Sequence, residues 1–320
     1  MSRAMLDRRT FLAASLAAVP ALRGARAAEP GVLRIGYQKN GILVVAKQQG
    51  IIERRLAALG HTVRWVEFSL GPPLVEALSL DGIDFGQTGD APPIFAQAAR
   101  SSLVYVAAQE AGGSGAGILL PKGSTLRSLA DLKGRRVAFG KATSAHNLTV
   151  AALEKAGLSY ADIEPVLLAP ADAAAAFARG SVDAWVIWDP YLAIAEAGEG
   201  VRVLAFATEI TPQNNFFLAS RAFAEAHGPV LVAAIDALSE VAAWCRENRG
   251  AVAALLSQGT GVPLPATRRA VDRNDYVIGP MTARVTAEQQ AVADRFHALK
   301  LIPQPIRITD AVWTPPARNG

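Results

Sequence analysis

Cysteine is almost missing from this chain: Cys245, in Val-Ala-Ala-Trp-Cys-Arg-Glu-Asn, is the only one in 320 residues. A single thiol closes no internal disulfide, so the fold must rest on its hydrophobic core. Histidine is scarce too. His61, His146, His227 and His297 share no metal-ligand spacing, which argues against a zinc carrier. No Gly-x-Ser-x-Gly elbow occurs, so nothing marks a serine hydrolase. Two stretches imitate phosphate loops and fail on context. Residues 112–117 are glycine-rich, but strand-like Ile118-Leu119-Leu120 follows them where a helix is required. Residues 134–141 space their glycines one position too far apart, and Ala142 stands where Ser or Thr must bind a metal. No cofactor is expected.

A surplus of positive charge is missing as well, once the first segment is set aside. Asp7-Arg8-Arg9-Thr10-Phe11-Leu12 is basic, residues 11–22 are apolar, and Ala25-Arg26-Ala27 has small-x-small form. This three-part layout is that of a secretory signal peptide over 1–27, and the paired arginines favour the twin-arginine route. The apolar run of 12 residues is too short to span a bilayer, which takes about 20. The chain has 32 basic and 28 acidic residues; without the five arginines and one aspartate of the first 27, the two signs balance at 27 each. A neutral mature chain has no electrostatic footprint for nucleic acid. No later apolar run reaches spanning length without charges, so the mature part is expected to be soluble.

What is present is a pattern that occurs twice. Asp84 opens an apolar, strand-like run that ends at Asp90, with Pro92 just beyond; Asp183 opens another that ends at Asp189, followed by Pro190. An Ala-rich helical stretch precedes each. Strand-like segments (32–37, 63–68, 83–87, 103–108) alternate with helical ones, and the alternation resumes from 136. This implies an α/β fold with two lobes, each a central, mostly parallel sheet flanked by helices. The boundaries fall at 28–113 with 216–320 for the first lobe and 114–215 for the second. Residues 216–320 read as mostly helical, with 230–248 the longest helix. Ligands bind beyond the carboxyl ends of strands in such sheets. The function should therefore lie in a cleft between the two repeated strand ends.

The candidate site residues follow from that placement. Thr143-Ser144-Ala145-His146-Asn147 starts a helix directly after a strand, where free amides and the helix dipole attract anions. Ser144 and His146 add side-chain donors, although Thr143 or Ser144 could equally be an ordinary N-cap. Thr88 offers a hydroxyl and Gly89 lets backbone approach a ligand. Asp90 and Asp189, acceptors when ionised, would repel an anion at contact; they brace loops or receive an amino group. Gln38 follows the first strand as a neutral donor. Trp185 and Trp188 point to opposite faces of one strand, Trp185 to the core and Trp188 to the ligand's carbon tail. Asn215 stands where the chain crosses back.

Several of these blocks in order resemble the periplasmic aliphatic-sulfonate-binding proteins of ABC importers. They include Ile35-Gly36-Tyr37-Gln38-Lys39, Phe85-Gly86-Gln87-Thr88-Gly89-Asp90-Ala91-Pro92-Pro93, Ser144-Ala145-His146-Asn147-Leu148 and Trp185-Val186-Ile187-Trp188-Asp189-Pro190. The resemblance spans nearly the whole mature chain. It implies a type II periplasmic-binding-protein fold and no enzymatic activity. It also implies a small-molecule sulfonate ligand, an inner-membrane ABC permease as transient partner, and a periplasmic monomer. Taurine, nitrate or a sulfate ester is the alternative ligand. A sulfinate desulfinase is the alternative enzyme, but such enzymes use a cleft cysteine, and Cys245 is far from every strand end. The family's site falls on Gln38, Thr88, Gly89, Ser144, Ala145, His146, Trp188 and Asp189. Two departures stand out: residues 140–143 read Gly-Lys-Ala-Thr where the pattern is closer to Lys-Gly-Ser, and 112–117 is unusually rich in glycine.

Overall fold

The computed structural model describes residues 31–110 and 112–316; the signal-like segment 1–27 lies outside them. In chain order, β1 (Val32–Tyr37), α1 (Gly41–Gln49), α2 (Ile51–Ala57), β2 (Thr62–Glu67), α3 (Gly71–Ser79), β3 (Phe85–Thr88), α4 (Ala91–Ala98) and β4 (Leu103–Gln109) begin the first lobe. The chain then crosses into β5 (Ala116–Leu120), β6 (Arg136–Phe139), α5 (Ser144–Lys155), β7 (Glu164–Leu167), α6 (Pro170–Ala178), β8 (Ala184–Trp188), α7 (Tyr191–Glu196) and β9 (Arg202–Phe206). It returns through β10 (Asn215–Ser220) to α8 (Arg221–Ala226), α9 (Gly228–Glu247), α10 (Arg249–Thr260), α11 (Leu264–Asp272), β11 (Ile278–Gly279) and α12 (Ala283–Ala298).

Two sheets result, ordered β11-β4-β10-β3-β1-β2 and β7-β6-β8-β5-β9. In the first, β1 pairs in parallel with β2 and β3, and β10 runs against β3 and β4. In the second, β6 pairs in parallel with β7 and β8, and β5 runs against β8 and β9. The plan is the same in both: three parallel strands, then one reversed strand that arrives from the other lobe. β10 is a strand where the sequence reads helix. Phe216, Phe217, Leu218 and Ala219 are all buried, so no alternation betrays a central strand. Asn215 accordingly belongs to the first sheet rather than the second lobe.

The repeat extends to atomic detail. Asp84 takes Arg34 of β1 through its amide (2.8 Å), Nε (2.9 Å) and Nη2 (2.5 Å). Asp183 takes Arg136 of β6 through its amide (2.8 Å), Nε (3.2 Å) and Nη2 (3.0 Å). Each aspartate fixes the register of its own strand against the neighbouring one. The arginine beside Asp183 holds its carboxyl below the usual range.

Helices cover both faces of each sheet, giving four apolar clusters. The helical stretch after β1 is broken at Gly50, whose φ of 62° ends α1 and starts α2. Helix α9 is long and apolar enough by composition to cross a membrane. Here it is a core helix: Leu231, Ala234, Leu238, Val241 and Cys245 are fully buried, while Ser239, Glu240 and Arg246 face out.

Candidate functional site

A cavity of about 450 Å³ lies between the carboxyl ends of the two sets of parallel strands. Gln38, Thr88, Gly89, Ser144, Trp188, Asp189 and Asn215 all line it, as do Gln87, Gln109, Arg273 and Asn274. The volume is in the range of small-molecule sites.

The start of α5 forms one wall. Thr143 occupies the N-cap position in extended conformation but makes no side-chain cap. Its hydroxyl donates instead to the Gly140 carbonyl at 2.7 Å, closing the loop after β6. The first helical bond is donated by His146 to the Thr143 carbonyl (2.9 Å), which leaves the amides of Ser144 and Ala145 ahead of the ladder. Ordinary capping by Thr143 is thus absent, and the helix start is free to serve an anion. In the same loop Ala142 has a φ of 58°, a left-handed conformation that costs a residue with a Cβ about 1 kcal/mol or more.

The first lobe meets this wall at Gly89. A Cβ there would stand 1.8 Å from Ser144 Oγ, so only glycine allows the two loops to approach so closely. Gln38 Nε2 reaches the Gln87 carbonyl (3.3 Å), and Thr88 Oγ1 that of Gly89 (3.0 Å). From Gln87 an amide relay runs along the wall: Gln87 Nε2 donates to Gln109 Oε1 (2.8 Å), and Gln109 Nε2 to Asn274 Oδ1 (3.0 Å). Trp188, half-buried at the end of β8, faces the cavity, while Trp185 is fully buried against Phe177.

Three expected residues do not line the cavity. His146 is buried in a box of Phe95, Phe139, Tyr160 and Phe296, with ring centroids 5.1–6.3 Å away. Its Nδ1 accepts from the Ala142 amide (3.3 Å), and burial, helped by Lys141, pushes its pKa down to about 4. As the third residue of the helix it points back toward the preceding strand, so it supports the loop and stays neutral. The Ala145 side chain packs in the second-lobe core; only its backbone is near the helix start. Asp90 is 1 % exposed and accepts from Asn147 Nδ2 across the lobes at 2.7 Å. Burial pushes its carboxyl up to about 7, against the pull of Asn147, the Ala91 amide, the Ser144 hydroxyl and Arg295. Asp90 braces the interlobe contact.

Asp189 does line the cavity, but its charge is engaged. Oδ1 accepts from the Ala193 amide (3.0 Å) and pairs with Arg273 Nη1 (3.5 Å). Burial pushes it up to about 6, with Arg273 opposing. Sequence reasoning missed Arg273 and the amide relay. Gln109 ends β4, so the strand-end rule could have found it; Arg273, at the end of a C-terminal helix, carries no local signal. Lys39 is an exposed surface partner of Glu67 at 3.1 Å. Cys245 is in the first-lobe core, its thiol pushed up to about 12 by burial.

The model of the NMT1-like family matches residues 26–257. An Escherichia coli (strain K12) protein named for aliphatic-sulfonate binding is 42% identical over 309 residues, 96% of each chain. The crystal structure of the periplasmic aliphatic sulphonate binding protein SsuA from Escherichia coli superposes with a TM-score of 0.83 at 43% identity, covering 91% of this chain and 94% of that one. The alkanesulfonate-binding protein SsuA from Xanthomonas axonopodis pv. citri, bound to MOPS, gives a TM-score of 0.83 at 42% identity, covering 90% and 99%.

Proposed function

Because the chain belongs to the NMT1-like family and is closely similar to its aliphatic-sulfonate-binding proteins, we propose that it is the extracytoplasmic substrate-binding protein of an ABC importer. It captures an aliphatic sulfonate between its lobes and delivers it to an inner-membrane permease.

One observation carries the choice of ligand: an uncapped helix start faces a cavity rich in neutral donors. A sulfonate is ionised at any biological pH and only accepts hydrogen bonds. It needs amides and hydroxyls and tolerates no free carboxylate at contact. Ser144, the Ala145 amide, Gln38, Thr88, the Gly89 backbone and Asn215 supply the first. For the second, Asp189 is tied to Arg273, Glu110 to Arg284 and Glu209 to the Phe206 amide, and Asp90 is buried on Asn147 outside the cavity lining. Trp188 covers the carbon tail. Enclosure between the lobes excludes water and strengthens each bond.

In this reading residues 1–27 direct export to the periplasm by the twin-arginine route. The mature monomer hinges where β4 leads to β5 and β9 to β10. Its lobes are 28–113 with 215–320, and 114–214, Asn215 being the first residue of β10. Binding, with no turnover, is the whole task. Calorimetry on residues 28–320 with ethanesulfonate, taurine, sulfate and nitrate tests the assignment. Ethanesulfonate should bind with a Kd of about 1 μM or tighter, roughly −8 kcal/mol; a preference for taurine, sulfate or nitrate contradicts it.

A further inference from the structure

The two repeated aspartates that follow β3 and β8 share an unexpected property: each reaches across the cleft to the opposite lobe. Asp90 meets Asn147 of α5, and Asp189 meets Arg273 at the end of α11. On the Asp90 side, Arg295 of α12 adds bonds to Asn147 Oδ1 (2.9 Å) and Glu154 Oε2 (2.7 Å). On the Asp189 side, Arg273 Nη2 also binds Glu196 Oε2 of α7 at 2.6 Å, and its guanidinium lies 5.2 Å from the Phe206 ring. Every one of these Arg273 partners belongs to the second lobe.

We propose that Arg273 is a positioning residue that latches the lobes over the bound ligand and sets its residence time, and that Asp189 serves this latch instead of the anion. The cluster is largely withdrawn from water: side-chain exposure is 14% for Arg273, 11% for Asp189 and 13% for Glu196. Two carboxylates buried side by side repel, and the guanidinium between them makes the arrangement favourable. Without it, closing the lobes would bury Asp189 with no cation beside it and leave Glu196 to Arg269 alone, 3.7 Å away. With the lobes apart, both carboxylates would face solvent at little cost. The contribution of Arg273 therefore falls on closure and not on the folding of either lobe.

The glycine-rich crossover explains how this arginine is held. A Cβ on Gly113 would stand 1.3 Å from the Arg273 carbonyl oxygen, and one on Gly112 would stand 1.8 Å from Asp275 Oδ2. The crossover from β4 to β5 thus runs flush against the turn that carries Arg273. At Gly113 only glycine permits that packing, and it ties the crossover to the latch.

This inference takes its ligand from the sulfonate reading, and the test separates the two. Ethanesulfonate association and dissociation are followed by stopped-flow tryptophan fluorescence in wild type, Arg273→Gln and Arg273→Lys. Arg273→Gln should raise the off-rate about 10- to 100-fold, as for breaking a largely buried ion pair, with the on-rate changed less than about 3-fold. Arg273→Lys keeps the charge but loses the planar fork and should fall between. Adding Glu196→Gln to Arg273→Gln should recover part of the residence time, a rescue that a merely structural arginine would not give. An unchanged off-rate, or no rescue alongside a lowered melting temperature, overturns the latch. If wild type binds no ethanesulfonate, the sulfonate reading fails instead. The latch is then read by small-angle scattering of unliganded wild type and Arg273→Gln. An unchanged radius of gyration overturns it, and a larger radius in the variant supports it.

Discussion

Gly89→Ala places a methyl group where the two lobes come closest. The new Cβ would stand 1.8 Å from Ser144 Oγ and 3.1 Å from Ser144 Cβ. Carbon and oxygen need about 3.4 Å, so about 1.6 Å must be found by movement. Gly89 is not among the residues with positive φ, so the alanine adds no backbone strain within its own lobe. Two relaxations are open. Ser144 can rotate and withdraw its hydroxyl from the cavity, or the lobes can stop short of closure. The first loses a hydrogen bond to a charged group, about 1.5–3 kcal/mol, which weakens Kd about 10- to 150-fold. The second loses more, because water stays in the site. Calorimetry with ethanesulfonate reads the affinity, and a thermal melt of the unliganded protein reads the fold. The melting temperature of the unliganded protein should stay within about 2 °C of wild type, since with the lobes apart the methyl group meets no neighbour inside its own lobe and moves stability by about 0.5 kcal/mol or less. Affinity within twofold of wild type would refute the view that the anion pocket closes between Gly89 and Ser144.

Ser144→Ala should weaken ethanesulfonate about tenfold, the value of one bond to a charged acceptor, with the thermal melt unchanged; calorimetry checks it. His146→Phe should keep the affinity but cost about 1–3 kcal/mol in chemical denaturation, because the larger ring overpacks the aromatic box and the Ala142 amide loses its acceptor; lost binding would return His146 to the cavity. Burial raises Asp90 from 3.8 to about 7, so between those values the folded protein keeps a proton that the unfolded chain has released. Its contribution to stability is whole below about pH 4 and is lost as the pH rises through about 7. Asp90→Asn keeps the neutral partner for Asn147 and should gain up to ~4 kcal/mol over wild type near pH 7.5, but almost nothing at pH 4, by denaturation at both pH values.

Much of this architecture is visible in the sequence because it is periodic or repeated. The Asp84 and Asp183 motifs mark equivalent strands, and the strand-end rule leads from them to the cleft. The role of those aspartates is not visible: Arg34 and Arg136 lie 50 and 47 residues away, and only strand pairing brings them together. β10 escaped notice because a strand buried on both faces has no alternation. His146 illustrates a different limit. The sequence places it at the helix start, but the direction of a side chain there depends on the aromatic residues of both lobes, Phe95 and Phe296 from one and Phe139 and Tyr160 from the other. Arg273 is the extreme case. It is 84 residues from Asp189, in a helical region with no motif, and becomes part of the site only through closure. The glycines at 112 and 113, which fit no phosphate loop, acquire a reason only once the backbone of Arg273 is found against them.

A crystal structure of residues 28–320 grown with ethanesulfonate would decide where the anion sits. The sulfonate oxygens should lie within about 3 Å of Ser144 Oγ and the Ser144 and Ala145 amides, the ethyl group against Trp188, and Arg273 still on Asp189 and Glu196. A sulfonate bound to Arg273, with the start of α5 left to water, would contradict it.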